Sequence, residues 1–182
     1  MLILLDRDGV INEDSPDYIK SPEEWHPIPG SLEAIAALKQ AGHTVCVATN
    51  QSGIARGYYS LNTLSAIHQK MQLSLQQHHA TLDAIAFCPH VDADHCACRK
   101  PKPGLLIQLQ QQFDIAWKDT VFIGDSIRDL QAAESVGCHA ILVATGNGQH
   151  TKTTHQPKVP FTSNLLSAAN HLLTPSFILG QW

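Results

Sequence analysis

The strongest constraint on the fold is an apolar run, Leu2-Ile3-Leu4-Leu5, that leads directly into Asp6-Arg7-Asp8-Gly9. Four consecutive apolar residues are typical of a strand that is buried on both faces, as in a parallel sheet. Asp6 and Asp8 are two positions apart, so their side chains leave an extended chain on the same side. Because ligands of open α/β sheets bind beyond the carboxyl ends of the strands, this pair of carboxylates predicts a site there.

Two carboxylates at this spacing repel each other unless a cation lies between them. A hard divalent ion with oxygen ligands, in the first place Mg²⁺, would relieve the repulsion and leave one carboxylate able to act as a nucleophile. The alternative is an ordinary surface turn, since Asp and Gly are common turn residues. Three later stretches of the sequence favour the site.

The size and charge of the chain exclude several classes of protein. With 182 residues, 43% of them hydrophobic, the sequence predicts one globular domain over residues 1–182. A net charge of -4 provides no basic surface for nucleic acid or an anionic membrane. No apolar run reaches the roughly 20 residues of a membrane span, and the amino terminus lacks the basic region of a signal peptide. We therefore expect a cytoplasmic monomer that binds neither nucleic acid nor membrane.

Apolar segments of two periodicities alternate along the chain. The pattern predicts five strands and five helices joined by loops at 13–30 and 145–160, which is typical of an α/β fold with a parallel sheet flanked by helices. The expected strands are 2–5, 44–48, 83–87, 120–123 and 139–143, and the expected helices are 31–41 (capped by Ser31), 60–78 (capped by Ser60), 103–113, 127–136 and 164–173. We expect the tail after residue 150, including apolar residues 177–182, to pack on the body of the protein.

Two polar segments beside the predicted site are candidates for substrate binding. Loop 13–30 is long for a compact domain, and such loops are often functional, although a solvated turn is the simpler alternative. The turn after the second strand offers a hydroxyl, an amide and backbone N–H groups that could bind a phosphate. The candidate residues are Asp14, Ser15, Pro16 and Asp17 in the loop and Thr49, Asn50, Gln51 and Ser52 in the turn.

A cysteine-rich loop at 88–98 predicts a metal site. Cys88, His90, Cys96 and Cys98 form two pairs, each with one residue between its members. Zn²⁺ binds thiolates and imidazole tetrahedrally, so this set suits a structural site without an open position. His95 could replace His90, and three unrelated buried thiols are the simpler alternative. Five cysteines in total, an odd number, fit metal binding in a reducing compartment better than a set of disulfides.

Charged groups follow the zinc loop and the fourth strand. Arg99 and Lys100 stand in a rigid, proline-rich segment, and a zinc site would fix these cations over an anion; a solvated charge run is the alternative. Asp125 follows the fourth strand and could complete a divalent-ion site with Asp6 and Asp8. Asp129, one helical turn later, could orient Lys100. Ser126, next to Asp125, is a further candidate for substrate contact.

Four short motifs at predicted strand ends resemble, in this order, those of the haloacid dehalogenase superfamily of phosphohydrolases. They are Asp6-x-Asp8-Gly9, Thr49-Asn50, Arg99-Lys100-Pro101 and Gly124-Asp125-x-x-x-Asp129, and the resemblance extends to about residue 146. It implies a Rossmann-like sheet and hydrolysis of a phosphomonoester. No gap between the motifs looks like the separate cap domain that members usually carry, and the zinc loop takes its place.

The resemblance also implies roles for individual residues. Asp6 would be the nucleophile that forms an aspartyl-phosphate, and Asp8 would be the general acid and then the base. Mg²⁺ would be held by the Asp6 side chain, the Asp8 main-chain carbonyl and Asp125. Thr49 and Lys100 would stabilise the transferred phosphoryl group, and Arg99 would recognise the substrate.

Longer strings narrow the resemblance to two groups within the superfamily. They are Asp-Arg-Asp-Gly-Val-Ile-Asn, Ala-Thr-Asn-Gln-Ser-Gly-Ile-Ala-Arg-Gly and Cys-Arg-Lys-Pro-Lys-Pro-Gly. One group removes the 7-phosphate of a heptose 1,7-bisphosphate, in the synthesis of nucleotide-activated heptose for lipopolysaccharide core. The other hydrolyses histidinol phosphate in histidine biosynthesis, and an inactive zinc-stabilised binding module is a third possibility. A chain of this length fits the sugar phosphatases better.

Overall fold

Strand β1 lies in the middle of a six-stranded sheet whose strands are all parallel, in the order β3-β2-β1-β4-β5-β6. The structure is a computed structural model that describes residues 1–174. The strands are β1 Leu2–Leu5, β2 Thr44–Asn50, β3 Ala84–Cys88, β4 Thr120–Gly124, β5 His139–Val143 and β6 Phe161–Thr162. The helices are α1 Ser31–Gln40, α2 Leu61–Gln76, α3 Gly104–Phe113, α4 Ile127–Val136, α5 Gly148–His155 and α6 Leu165–Leu172.

Two apolar cores lie on opposite faces of the sheet because successive residues of each strand point in opposite directions. On one face, Ile3 and Leu5 pack with the buried sides of α1, α2 and α6. On the other face, Leu2 and Leu4 pack with α3 and α4. All four residues of β1 are completely buried, which confirms the prediction of a strand covered on both sides.

The strand order reverses between β1 and β4, and a crevice opens at the carboxyl ends of these neighbours. The backbone N–H of Asp6 donates to the carbonyl of Ile123 at 3.0 Å, so the chain leaves β1 beside the end of β4. Asp125 follows β4 directly. The point of reversal is where parallel α/β sheets bind ligands, so the topology brings the first and third predicted carboxylates to one place.

The predicted strands and the predicted helices α1 to α4 and α6 are confirmed, with ends that differ by a few residues. The N-cap prediction is correct for Ser60, whose side chain accepts the N–H of Thr63. It is wrong for Ser31, which is the first helical residue and donates its hydroxyl to the carbonyl of Ile11 at 2.6 Å. Gly30, with φ of +86°, precedes the helix instead.

The prediction of a loop over 145–160 is wrong, because residues 148–155 form helix α5. This segment has no apolar stripe, and a tertiary contact holds it: buried Thr151 donates its hydroxyl to the carbonyl of Asp125 at 2.9 Å. Helix α6 packs on α1, as expected for the segment after residue 150. The apolar residues 177–182 lie outside the described part of the chain. None of the helices within residues 1–174 has the length and hydropathy needed to cross a bilayer.

Candidate active site

A polar cleft of about 370 Å³ opens at the carboxyl edge of the sheet. It collects side chains from the carboxyl ends of the strands β1 to β5 and the segments that follow them. The predicted site residues that line it are Asp6, Asp8, Asp14, Ser15, Thr49, Asn50, Gln51, Ser52, Arg99, Lys100, Asp125 and Ser126. Pro16 and Asp17 line neighbouring surface grooves instead.

Lys100 is the electrostatic centre of the cleft. Its Nζ lies 2.9 Å from Asp6 Oδ1 and 2.7 Å from Asp129 Oδ1, and the residue is 1% exposed. Burial opposes the charge of the ammonium group, but the carboxylates of Asp129 and Asp6 outweigh this effect and raise the pKa of Lys100 to about 12. Lys100 therefore keeps its positive charge beside the predicted nucleophile. Asp129 contacts Lys100, as the sequence predicted.

Asp6 and Asp125 carry more negative charge than Lys100 can balance. Burial, together with the nearby carboxylates of Asp129 and Asp8, raises the pKa of Asp6 to about 7 in spite of Lys100. Burial and the carboxylates of Asp129 and Asp6 raise the pKa of Asp125 to about 8. Both shifts express the cost of holding several carboxylates in one buried space, and a cation would relieve it.

The arrangement of oxygen atoms fits a hard divalent ion. Carboxylate oxygens of Asp6, Asp125 and Asp129 lie within 4.8 Å of one another. Asp129 is already used, since Oδ1 contacts Lys100 and Oδ2 accepts from the N–H and the hydroxyl of Ser126. The side chains of Asp6 and Asp125 therefore remain available to hold such an ion, and oxygen donors are those that Mg²⁺ prefers. A Cβ at Gly9 would come within 2.2 Å of Asp125 Oδ2, so the carboxylate of Asp125 can occupy this position only because residue 9 has no side chain.

Asp8 lies in a different environment from Asp6. Its carboxylate accepts hydrogen bonds from Arg7 Nε at 3.0 Å and Nη2 at 2.9 Å, from Asn12 Nδ2 at 2.9 Å and from Gln51 Nε2 at 2.8 Å. Burial alone would raise the pKa of Asp8, but these donors, Arg7 above all, hold it below its ordinary value. Two carboxylates that are two residues apart thus have pKa values shifted in opposite directions.

The side chain of Asn50 connects β2 to the segment that carries Lys100. Its Nδ2 donates to the carbonyl of Lys100 at 3.0 Å, and its Oδ1 accepts the N–H of Lys100 at 3.1 Å. From the sequence, this amide is expected to contact the substrate. Although Asn50 lines the cleft, both ends of its amide hold the main chain of Lys100 in place.

Cys88, His90, Cys96 and Cys98 form one compact cluster. Five of the six separations between their sulfur and Nδ1 atoms lie between 3.2 and 3.6 Å, and the thiols are free. Ligands of a tetrahedral Zn²⁺, with Zn–S of about 2.3 Å and Zn–N of about 2.0–2.1 Å, stand about 3.6–3.8 Å apart. The donor set therefore fits zinc, and His95 is not part of the cluster.

Several residues of the cleft were not identified from the sequence. Arg56 and Arg128 line it together with Arg99, whose Nε contacts Asp92 Oδ1 at 2.7 Å. Lone arginines in a loop and at the start of a helix carry no periodic signal, and their common position is set by the fold. The other residues missed are Tyr18, Ile19, Asp92 and Asn147.

His68, on helix α2, lies beside Arg7. It is half-buried, its Nε2 lies 3.4 Å from Arg7 Nη1, and its ring meets the ring of Phe87 edge-on. Burial and the charge of Arg7 lower the pKa of His68 to about 4. The imidazole is therefore neutral near pH 7 and can accept a hydrogen bond from Arg7.

The chain is similar to known phosphatases over most of its length. A family model described as HAD-hydrolase-like matches residues 97–168. The D-glycero-beta-D-manno-heptose-1,7-bisphosphate 7-phosphatase of Pseudomonas aeruginosa is 53% identical over 82% of this chain and 84% of its own. The enzyme of the same name from Neisseria meningitidis is 49% identical over 87% of this chain and 85% of its own.

A solved structure agrees with these sequence matches. The crystal structure of D,D-heptose 1,7-bisphosphate phosphatase from B. bronchiseptica, complexed with magnesium and phosphate, has a TM-score of 0.91 and 48% identity. The similarity covers 94% of this chain and 97% of that one. From these identities and coverages, the chain belongs to the heptose-bisphosphate 7-phosphatase family of HAD-like hydrolases, and it is a phosphatase.

Proposed function

We propose that this chain removes the 7-phosphate of D-glycero-β-D-manno-heptose 1,7-bisphosphate through an aspartyl-phosphate intermediate. The observation that carries the proposal is the position of Asp6 at the floor of a polar cleft, 2.9 Å from the buried cation Lys100. The names of the relatives support the substrate and its anomer. The reaction would provide a heptose 1-phosphate for activation by a nucleotide, in the cytoplasmic synthesis of lipopolysaccharide core precursors.

In the first step, an oxygen of Asp6 attacks the phosphorus atom and the bond from phosphorus to the sugar oxygen breaks. Lys100 and the hydroxyl of Thr49 neutralise the phosphoryl oxygens, which is most of what this transfer requires. Asp8 gives its proton to the sugar oxygen; the negative charge of bound substrate raises the pKa of Asp8 and favours the protonated form. In the second step, ionised Asp8 takes a proton from water, which attacks the phosphoryl group and releases Asp6.

Mg²⁺ would be held by the side chains of Asp6 and Asp125 and, as the family resemblance implies, by the main-chain carbonyl of Asp8. A bound Mg²⁺ would supply positive charge to the phosphoryl oxygens and keep Asp6 ionised. The zinc site has a structural role in this proposal, because four protein ligands leave no position for water. It fixes the segment that delivers Arg99 and Lys100.

A substrate with two phosphates fits the cleft better than histidinol phosphate does. Three arginines, Arg56, Arg99 and Arg128, line it in addition to the lysine at the reaction centre. Guanidinium groups bind phosphate through paired hydrogen bonds, so these three arginines suit a second, distal phosphate. Magnesium-dependent release of phosphate from any small phosphomonoester would exclude the inactive binding module.

Replacement of Asp6 by Asn is expected to abolish turnover in a folded protein. An amide can serve neither as the nucleophile nor as a charged metal ligand, and loss of such a group costs orders of magnitude. Phosphate release from the bisphosphate, with circular dichroism to verify folding, measures the effect. Asp119→Asn, at an exposed position, is the matched control and should retain full activity. Residual activity of Asp6→Asn above about one per cent would remove Asp6 from this role.

Binding of Mg²⁺ is expected to raise the melting temperature more at pH 8 than at pH 6. Without Mg²⁺ the pKa values of Asp6 and Asp125 are about 7 and about 8, against 3.8 for an ordinary Asp. At a pH between 3.8 and these raised values, Asp6 and Asp125 hold protons in the native state that they have released in the unfolded chain. The free energy of unfolding therefore falls as pH rises through this range. Mg²⁺ binds the ionised carboxylates and relieves this loss, chiefly at the higher pH.

The measurement is thermal unfolding of protein dialysed free of Mg²⁺, with and without added Mg²⁺, at both pH values. Asp125→Asn removes one of the ligands and should abolish most of the response. Equal increases in melting temperature at pH 6 and pH 8 would contradict the assignment of the site to these carboxylates.

Protein purified without chelator is expected to contain one zinc ion per chain. Cys96→Ser removes a ligand, so it should lower the zinc content, the melting temperature and the activity together, because Arg99 and Lys100 lose their support. Cys138→Ser, which lies outside the cluster, should retain the metal. Elemental analysis measures the zinc content per chain. Absence of zinc, or a disulfide among Cys88, Cys96 and Cys98, would be incompatible with a structural zinc site.

Arg99 is expected to determine which substrate is used more than whether chemistry occurs. Arg99→Ala should lower kcat/KM for the bisphosphate by about ten- to a hundredfold, the loss of a charge-assisted pair worth about 1.5–3 kcal/mol, and change it little for a monophosphate. Lys100→Ala should impair both substrates alike. Wild-type kcat/KM for heptose 1,7-bisphosphate and for histidinol phosphate, measured side by side, tests the substrate itself. Equal losses on both substrates for Arg99→Ala would refute this role.

A further inference from the structure

A buried tyrosine stands behind the residues that contact the reaction centre. Tyr59 lies in the loop between β2 and α2, is 8% exposed, and donates its hydroxyl to Gln51 Oε1 at 2.6 Å. Arg7 Nη2 donates to the same oxygen at 3.2 Å. Tyr59 is not among the residues that line the cleft.

These contacts fix which end of the Gln51 amide faces the cleft. Arg7 can only donate and an ionised carboxylate can only accept, so the amide oxygen must face Arg7 and the nitrogen must face Asp8. Gln51 Nε2 then donates to Asp8 Oδ2 at 2.8 Å and to Thr49 Oγ1 at 2.9 Å. Of the two donors to the amide oxygen, the hydroxyl of Tyr59 is the nearer one.

The backbone is built around the ring of Tyr59. A Cβ at Gly53 would lie 2.2 Å from Cε1 and 3.0 Å from the hydroxyl oxygen of Tyr59, so no other residue fits there without displacing the ring. Burial raises the pKa of Tyr59 to about 12, which keeps the phenol protonated and able to donate. The close approach to Gly53 and the short hydrogen bond both hold the hydroxyl in one position.

We propose that Tyr59 is a positioning residue for proton transfer: its hydroxyl orients Gln51, and Gln51 aims Asp8 at the oxygen of the leaving group. The inference rests on the proposed function only in that Asp8 protonates an alkoxide. When the bond from phosphorus to oxygen breaks, the electron pair stays on the sugar oxygen, which takes the proton of Asp8. A sugar alkoxide is strongly basic and needs this proton as it leaves, whereas p-nitrophenolate departs without one.

The test compares Tyr59→Phe with wild type on heptose 1,7-bisphosphate and on p-nitrophenyl phosphate. The parameter is kcat/KM, because it reports the steps up to departure of the leaving group and excludes the hydrolysis step that both substrates share. We expect kcat/KM to fall about tenfold for the sugar substrate, part of the 10²–10⁴ that general acid catalysis contributes, and to change less than about twofold for the aryl phosphate. The solvent deuterium isotope effect on the sugar reaction should increase, since proton transfer becomes slower.

Phenylalanine keeps the ring against Gly53, so the fold should be unchanged, which the melting temperature verifies. Tyr58→Phe is the matched control: Tyr58 is 55% exposed, its ring contacts that of Tyr18, and both kcat/KM values should stay at the wild-type level. An unchanged rate on the sugar substrate, or equal losses on both substrates, would overturn the proposal. If wild type prefers histidinol phosphate, the substrate proposal fails but the same comparison holds, because that leaving group is an alkoxide as well.

Discussion

The ion pairs of Lys100 are the interaction on which the rest of the site depends. An ammonium group that is 1% exposed is tolerated only because two carboxylates, Asp6 from the end of β1 and Asp129 from α4, lie within 3 Å. Asn50 at the end of β2 holds the main chain of the same residue from the other side. Four segments of the chain therefore meet at one residue, and a displacement of Asp6 or Asp129 would leave a buried charge without one of its partners.

The sheet and much of the site could be predicted because their signals are local. Buried parallel strands appear as short apolar runs, and the fold places all their carboxyl ends at one edge. Polar residues directly after such runs, as at Asp6, Thr49 and Asp125, are therefore brought together whatever the details of packing. The cluster of Cys88, His90, Cys96 and Cys98 could be predicted for a similar reason, since its four members stand within eleven consecutive residues.

Contacts between distant parts of the chain set what the sequence did not reveal. Helix α5 has no apolar face, and the hydrogen bond from Thr151 to the carbonyl of Asp125 could not be read from its composition. His68 stands on a helix face that looks polar, but Arg7 and Phe87 cover it. Asn50 has the chemistry of a phosphate ligand, and only the fold shows that Lys100 uses both ends of its amide.

Arg7 explains how one short motif holds two carboxylates in different environments. From the sequence, a single cation between Asp6 and Asp8 was the expected remedy for their repulsion. In the structure Arg7, which is completely buried, balances the charge of Asp8, whereas Asp6 pairs with Lys100. The middle residue of the motif thus gives the two carboxylates different environments, and the charge of Asp8 is balanced without a metal ion. The opposite pKa shifts of the two groups follow from this separation, and they would suit the two roles proposed above, a nucleophile that binds a metal and an acid–base group whose charge Arg7 balances.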